Sequence, residues 1–161
     1  MKSLRLLLPL GLLFLLACNG DSGALEDVLR GDISASINPS GRVPLGGLLT
    51  FTTKEPVTVS VTVPGETPVT RTFDEASRNH TIPVLGLYPD TDNQVSITLA
   101  TADGSTYTGV QSLKTAPLPA TFPRIDITKL DRQAMEPGFH LIDLLIGNQG
   151  KFLPYTVMFD D

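Results

Sequence analysis

A strict two-residue alternation over residues 57–63 constrains the fold of this chain more than any other feature. Valine fills the odd positions, and Thr58, Ser60 and Thr62 fill the even ones. Because successive side chains of a β-strand point to opposite faces, the segment predicts a strand with one apolar face and one face in water. Val, Ile, Thr, Gly and Pro are abundant in the chain and tryptophan is absent. This composition favours a β protein with many turns.

Further strand-like runs lie on both sides of this segment, and turn residues separate them. The breaks include Asn38-Pro39-Ser40-Gly41 and Pro64-Gly65, which are strong turn signals. Strands are predicted over residues 33–37, 45–52, 57–63, 69–73, 81–84, 94–101 and 107–115, with a break at 54–56 and a polar loop up to Asn79. About seven short strands with a turn every 8–12 residues are typical of a β-sandwich. The sequence therefore predicts one β-sandwich domain over residues 32–119.

The first seventeen residues have the pattern of an export signal. Lys2 and Arg5 precede an apolar run over residues 6–17. That run is too short to cross a bilayer as a helix, which takes about 20 residues. Its last three residues and the next form Leu-Leu-Ala-Cys at residues 15–18, which resembles the lipobox cleaved by the bacterial lipoprotein peptidase. We therefore expect a signal peptide over residues 1–17 and lipidation of Cys18.

Cys18 is the only cysteine of the chain, so it cannot form an internal disulfide. An ordinary secretory signal with a cysteine near its end by chance is the alternative. Lipidation explains the cysteine, and two or three acyl chains anchor stably because each buried methylene contributes about 0.8 kcal/mol. Asn19, in place of aspartate, favours the outer membrane, facing the periplasm, under the Gram-negative sorting rule. Residues 18–31 are then expected to form a polar tether, with room for one short helical turn.

The charge balance argues against one class of partner. Without Lys2 and Arg5 the chain has 10 basic and 17 acidic residues. Nucleic acids and anionic surfaces are bound by clustered Lys and Arg. We therefore expect no nucleic-acid partner.

Candidate chemistry along the chain is sparse. His80 and His140 lie far apart in the sequence, without the spacing of a metal site, and are expected to be surface or packing side chains. Asp90, Asp92 and Asn93 form an oxygen-rich cluster that suits calcium, but the same residues make an ordinary β-corner, which is the preferred interpretation. No serine stands in a Gly-x-Ser-x-Gly elbow. No catalytic, cofactor or metal site is predicted.

Two segments resemble the fibronectin type III class of immunoglobulin-like sandwiches. They are Val-Leu-Gly-Leu-Tyr-Pro-Asp-Thr at residues 84–91 and Lys-Thr-Ala-Pro-Leu-Pro at residues 114–119. In that class a tyrosine follows the corner by two residues and hydrogen-bonds back across it. Asn93 stands at that position here. The resemblance therefore implies an immunoglobulin-like sandwich whose corner lacks the phenol anchor.

Three segments resemble the amino-terminal domain of bacterial aryl-sulfate sulfotransferases more narrowly. Residues 38–45 are similar to its opening, residues 82–90 to its corner before the propeller, and residues 155–160 to the first strand of the catalytic β-propeller. In that family the propeller moves sulfate between phenols through a histidine intermediate. Its catalytic residues lie beyond the part that this chain resembles. The resemblance therefore implies a non-catalytic front domain, and the chain alone is not expected to be an enzyme.

Residues 120–161 contain two apolar strand-like runs, at 139–146 and 153–159. A propeller blade has four strands, and a two-stranded apolar ribbon is marginal in water. We expect this partial propeller-like segment to fold onto the sandwich, to pair with another chain or to belong to a longer protein, which is the preferred case. The leading prediction is a lipid-anchored accessory domain whose partners are the membrane and a propeller domain or another chain. A free-standing, lipid-anchored binding or adhesion module is the alternative.

Overall fold

Strands make up most of the protein in the computed structural model, which describes residues 21–126, 128–129, 131, 134, 138–148 and 151–160. The predicted signal peptide and Cys18 lie outside these residues. The elements are β1 (Ser22–Ala24), α1 (Leu25–Val28), β2 (Ser34–Ile37), β3 (Gly47–Val63), β4 (Val69–Val84), β5 (Asp92–Thr101), β6 (Thr106–Lys114), β7 (Phe139–Asn148) and β8 (Lys151–Asp160).

The longest feature is the hairpin of β3 and β4, which runs through both layers of the fold. The first half of β3 pairs with β2 and with the second half of β4. Its second half pairs with β5 and with the first half of β4. Register shifts between Thr52 and Val59 separate the two halves. Strands that change sheets at an irregularity of this kind form the corners of sandwiches.

Pro56 and Thr53 explain where the hairpin bends. Proline has no N–H for a strand ladder, so the regular pairing is interrupted at Pro56 although the strand itself continues. At the bend the buried hydroxyl of Thr53 lies 2.7 Å from the carbonyl oxygen of Glu55 and 3.5 Å from that of Arg78. The Thr53 side chain thus supplies a donor where the ladder is interrupted.

Two layers enclose one core. The first contains β2, the first half of β3 and the second half of β4, and the second contains the other halves of β3 and β4 with β5, β6 and β1. The four valines of residues 57–63 are at most 3% exposed. Burying a valine side chain contributes roughly 1.5–3 kcal/mol. They pack in one cluster with the apolar side chains of the facing layer, including Leu49, Phe51 and Ile82. The predicted immunoglobulin-like β-sandwich is confirmed.

Two predicted interruptions are strand in the structure. The expected break at 54–56 and the expected loop at 74–79 lie within β3 and β4, which are continuous. The first half of β4 is an edge of its layer and exposes most of its side chains. Backbone pairing with β3 forms this strand, and its polar sequence carries little of the period-2 signal on which the prediction relied.

The segment before β2 also differs from the prediction. Residues 22–30 are packed against the sandwich, which corrects the expected tether over 18–31 for most of its length. β1 pairs in parallel with the start of β6, and Leu25 and Val28 of α1 are 4% and 2% exposed. Gly109 makes room for α1, since a Cβ there would lie 2.6 Å from Cδ1 of Leu25. The docking depends on this glycine of β6, so the local sequence of the segment could not show it.

β7 and β8 form a separate antiparallel ribbon. Their register runs from Phe139 opposite Asp160 to Asn148 opposite Lys151. Both predicted strand-like runs are therefore strands. Their relation to a propeller blade stays a prediction.

Leu25→Ala tests whether α1 belongs to the folding unit. We expect it to lower the free energy of unfolding by about 2–5 kcal/mol, because it removes a buried leucine from the core. Leu85→Ala is the matched control, since Leu85 is 52% exposed. Urea denaturation of the chain in mild detergent measures both changes. Equal, small effects would contradict the docking of α1.

Candidate functional site

Asn93 lies at the end of the sandwich where the chain leaves β6, and its buried side chain joins three segments. Its Oδ1 accepts the N–H of Tyr88 at 2.8 Å. Its Nδ2 lies 3.1 Å from each of the carbonyl oxygens of Tyr88, Thr91 and Leu113. The amide therefore pairs with both the N–H and the carbonyl of Tyr88, as a neighbouring strand would. We call this arrangement the Asn93 corner.

Thr115 completes the Asn93 corner from the other side. Its buried hydroxyl donates to the carbonyl of Tyr88, and its N–H donates to the carbonyl of Thr91 at 3.0 Å. The Oγ1 atom also lies 3.4 Å from Nδ2 of Asn93. The corner before β5 is thereby fastened to the end of β6.

The Asn93 corner has no phenol anchor, as predicted, and an amide fastens it instead. Asparagine stands where the fibronectin type III class has its tyrosine. In the structure the shorter amide reaches the same backbone because it has both donors and an acceptor. One sequence signal could have revealed this anchor. Asn93, whose side chain both donates and accepts hydrogen bonds, stands at an inward position of an alternating strand.

The same geometry bears on the calcium interpretation of residues 90–93. Asn93 points into the fold and its oxygen is used by Tyr88, while Asp92 accepts a hydrogen bond from the hydroxyl of Ser112. Asp90 is exposed and has a positive φ of 50°. The three side chains are therefore not brought together around one point. Within the described ranges, no cluster of three or more His, Cys, Asp or Glu side chains is placed to hold a metal ion.

His80 is a packing side chain on β4 in the first layer, opposite Phe51 of β3. It is 5% exposed and stacks on Phe51, with ring centroids 4.7 Å apart and an interplanar angle of 24°. Its Nε2 is buried and has no hydrogen-bond partner among the described residues. Burial lowers the pKa of His80, and a hydrogen bond to the backbone of Ser77 opposes this shift. A neutral ring is what this environment favours.

The ribbon exposes apolar side chains on both faces. Phe139, Leu141, Ile142, Leu145 and Met158 are 38–74% exposed, and we call them the ribbon surface. In the part of the chain that the structure describes, β7 and β8 pair only with each other. The outer edge of each strand therefore presents backbone N–H and carbonyl groups that further strands can pair with.

The ribbon touches the sandwich close to the Asn93 corner. Cε of Met158 lies 3.4 Å from the position that a Cβ of Gly86 would take. Together with Val69, Leu85 and other side chains, Met158 lines a cavity of about 250 Å³. The ribbon is also held to the chain after β6, because the hydroxyls of Tyr155 and Thr121 lie 2.7 Å apart. These contacts place the ribbon surface at the end of the sandwich where the chain leaves it.

The comparison with known families decides the class of the sandwich. A family model described as the arylsulfotransferase Ig-like domain matches residues 34–116, which is more than half of the chain. This chain belongs to the arylsulfotransferase Ig-like domain family. The matched range of the Ig-like domain runs from the start of β2 to just past β6, so β1, α1 and the ribbon lie outside it.

Comparisons with curated proteins and with solved structures found no match for the Ig-like domain or its flanking segments. Across the described residues, no helix combines the length and the apolar character that crossing a membrane requires. Cys18, the only residue to which the sequence assigns a chemical modification, precedes the described part of the chain. Its lipidation stays a prediction.

Replacing Asn93 tests the Asn93 corner. We expect Asn93→Ala to lower the free energy of unfolding by about 2–4 kcal/mol, because it leaves several backbone groups without partners. Asn93→Asp is expected to lower the free energy of unfolding by at least as much, since a carboxylate cannot donate to the three carbonyls. The exposed Asn79→Ala is the control. Denaturant unfolding measures all three, and a neutral Asn93→Ala would show that the corner is held by other contacts.

The lowered pKa of His80 predicts that acid reduces the stability of the fold. The pKa of His80 is lowered in the folded state, whereas an unfolded histidine titrates near about 6.5. As the pH falls below that value, the unfolded chain takes up a proton first, and stability decreases until the folded pKa is reached. His80→Phe keeps a ring against Phe51 and removes this contribution to acid sensitivity. Urea unfolding at about pH 7.5 and about pH 5.5 should show a smaller loss for His80→Phe, and equal losses would contradict the assignment.

Proposed function

We propose that this chain is a non-catalytic, membrane-anchored accessory domain of an aryl-sulfate sulfotransferase-like protein, and that the ribbon surface is where it meets a catalytic propeller. The observation that carries the proposal is the ribbon itself. It has two open edges and exposed apolar side chains beside an arylsulfotransferase Ig-like domain.

Leaving the ribbon surface in water costs free energy. Leu141 and Leu145 are 68% and 74% exposed, and burying a leucine side chain contributes roughly 1.5–3 kcal/mol. Each open edge also offers backbone groups for a further strand, which is how β-augmentation gains affinity. A four-stranded propeller blade supplies both a covering layer and neighbouring strands.

The polar groups of the sandwich support an accessory role over a chemical one. The hydrogen-bonding capacity of Asn93 is used on the backbone of Tyr88, Thr91 and Leu113. His80 is packed on Phe51 as a buried ring. These residues stabilise the domain that carries the ribbon, so the proposed contribution of the domain is to hold and position a propeller.

The anchoring part of the proposal comes from the sequence before Asp21. The apolar run over residues 6–17 and the lipobox-like residues 15–18 support cleavage before Cys18 and acylation of its sulfur. Asn19 supports sorting to the outer membrane, with the domain facing the periplasm. The accessory domain would then keep the sulfotransferase activity at the membrane.

A binding experiment with a purified catalytic propeller tests the proposal. The propeller of an aryl-sulfate sulfotransferase, expressed without its own amino-terminal domain, is titrated with this chain in mild detergent. We expect binding that Leu141→Lys and Leu145→Lys together weaken at least about tenfold, because two charges must then be desolvated at the contact. Val110→Lys is the control, since Val110 is also exposed (60%) but lies on β6 of the sandwich.

Two results would reject the proposal. One is the absence of propeller binding, or binding that the ribbon variants leave unchanged. The other is sulfate transfer between phenols by this chain alone. A free-standing adhesion module would instead bind a glycan or protein through the sandwich, with the ribbon variants fully active.

A further inference from the structure

The chain enters and leaves the sandwich at opposite ends of one strand. β1 runs parallel to β6, with Ser22 beside Thr106 at the start of β6. The N–H of Thr106 donates to the carbonyl of Asp21 at 2.8 Å. β6 then ends at Lys114. Because a strand rises about 3.4 Å per residue, the two ends of β6 lie about 27 Å apart.

The ribbon lies at the far end of this strand. Thr115, which follows β6, donates to the carbonyl of Tyr88 in the Asn93 corner. Gly86 lies two residues before Tyr88 and is the residue that Met158 of the ribbon contacts. The first docked residues and the ribbon are therefore separated by the length of the sandwich.

The route from Cys18 to the docked segment is short. Only Asn19 and Gly20 lie between Cys18 and Asp21, and three residue steps reach at most about 11 Å. A free chain from Cys18 to Gly31, as expected for a polar tether, would reach about 45 Å. The docking of β1 and α1 removes most of that length.

We infer that the docked segment holds the sandwich on end above the bilayer, with its Asp21 end next to the lipid headgroups and the ribbon surface about 27 Å further from them. The inference rests on the proposed lipidation of Cys18. The Asp21 end thus faces a lipid surface, and the sandwich is a rigid spacer that presents the ribbon away from it.

The net charge of the chain does not favour a general attraction to an anionic membrane. Anionic leaflets attract clusters of Lys and Arg. After residue 17 the chain has 17 acidic and 10 basic residues, and no two basic residues are neighbours in the sequence. The attachment point and the short reach therefore decide the orientation.

A quenching experiment compares the heights of the two ends. Ala102 is exposed in the turn before Thr106, and Lys114 is exposed at the far end. Full-length chains with Ala102→Cys or Lys114→Cys are made in a bacterium that processes lipoproteins, and fluorescein labels the new thiol because acylation blocks Cys18. In phosphatidylethanolamine–phosphatidylglycerol vesicles with nickel-chelating lipids, a short-range quencher, we expect several-fold stronger quenching at position 102 than at position 114.

A lengthened chain is the matched control. A flexible Gly/Ser segment inserted between Gly20 and Asp21 keeps the anchor, the sandwich and both labels. It should weaken quenching at position 102 and abolish the difference between the positions. A difference that persists in this variant overturns the inference, because the short reach would then not set the orientation.

The remaining outcomes separate the two proposals. Equal quenching at both positions, or stronger quenching at position 114, overturns the orientation while anchoring stands. Membrane fractionation of the unlabelled chain and of Cys18→Ser tests anchoring by itself. If both fractionate alike, the anchor fails and the orientation fails with it.

Discussion

Four valines of β3 lie in the core where the two layers meet, and the rest of the fold is arranged around their burial. β3 pairs with strands of both layers because it bends at Pro56, so one continuous strand belongs to each sheet in turn. β4 follows the same path beside it. Because these two strands cross between the layers, the layers cannot separate without exposing the valine face. The sandwich is therefore held together by chain continuity as well as by apolar contact.

The Asn93 corner transfers this rigidity to the end of the sandwich. The side-chain amide of Asn93 and the hydroxyl of Thr115 link the corner before β5 to the end of β6. The ribbon contacts the sandwich next to this corner, at Gly86. A fixed corner thus gives the ribbon surface a defined place. A defined place for the ribbon is what the proposed accessory role requires.

The segment before β2 determines which end of the sandwich lies next to the amino terminus. The family match begins only at Ser34, after this segment. Nevertheless, β1 and α1 extend the second layer, and α1 fills the core beside β6. The docked segment leaves only a short chain between the proposed lipid and the sandwich. Anchoring and presentation of the ribbon then occur at opposite ends of the same strand, and the spacing between them follows from the length of β6.

The sequence by itself determined the β-sandwich, because the period-2 pattern of residues 57–63 and the turn residues around it are local signals of strands and their ends. It also determined the family resemblance that the domain match confirmed, and the two runs that form the ribbon. Only the tertiary structure decided the continuity of β3 and β4, since the polar first half of β4 is formed by backbone pairing with β3 and its own sequence lacks the period-2 pattern. The docking of α1 against Gly109 and the role of Asn93 were likewise beyond the sequence. Both depend on which backbone groups and which empty space lie opposite a side chain, and only the folded chain brings those together.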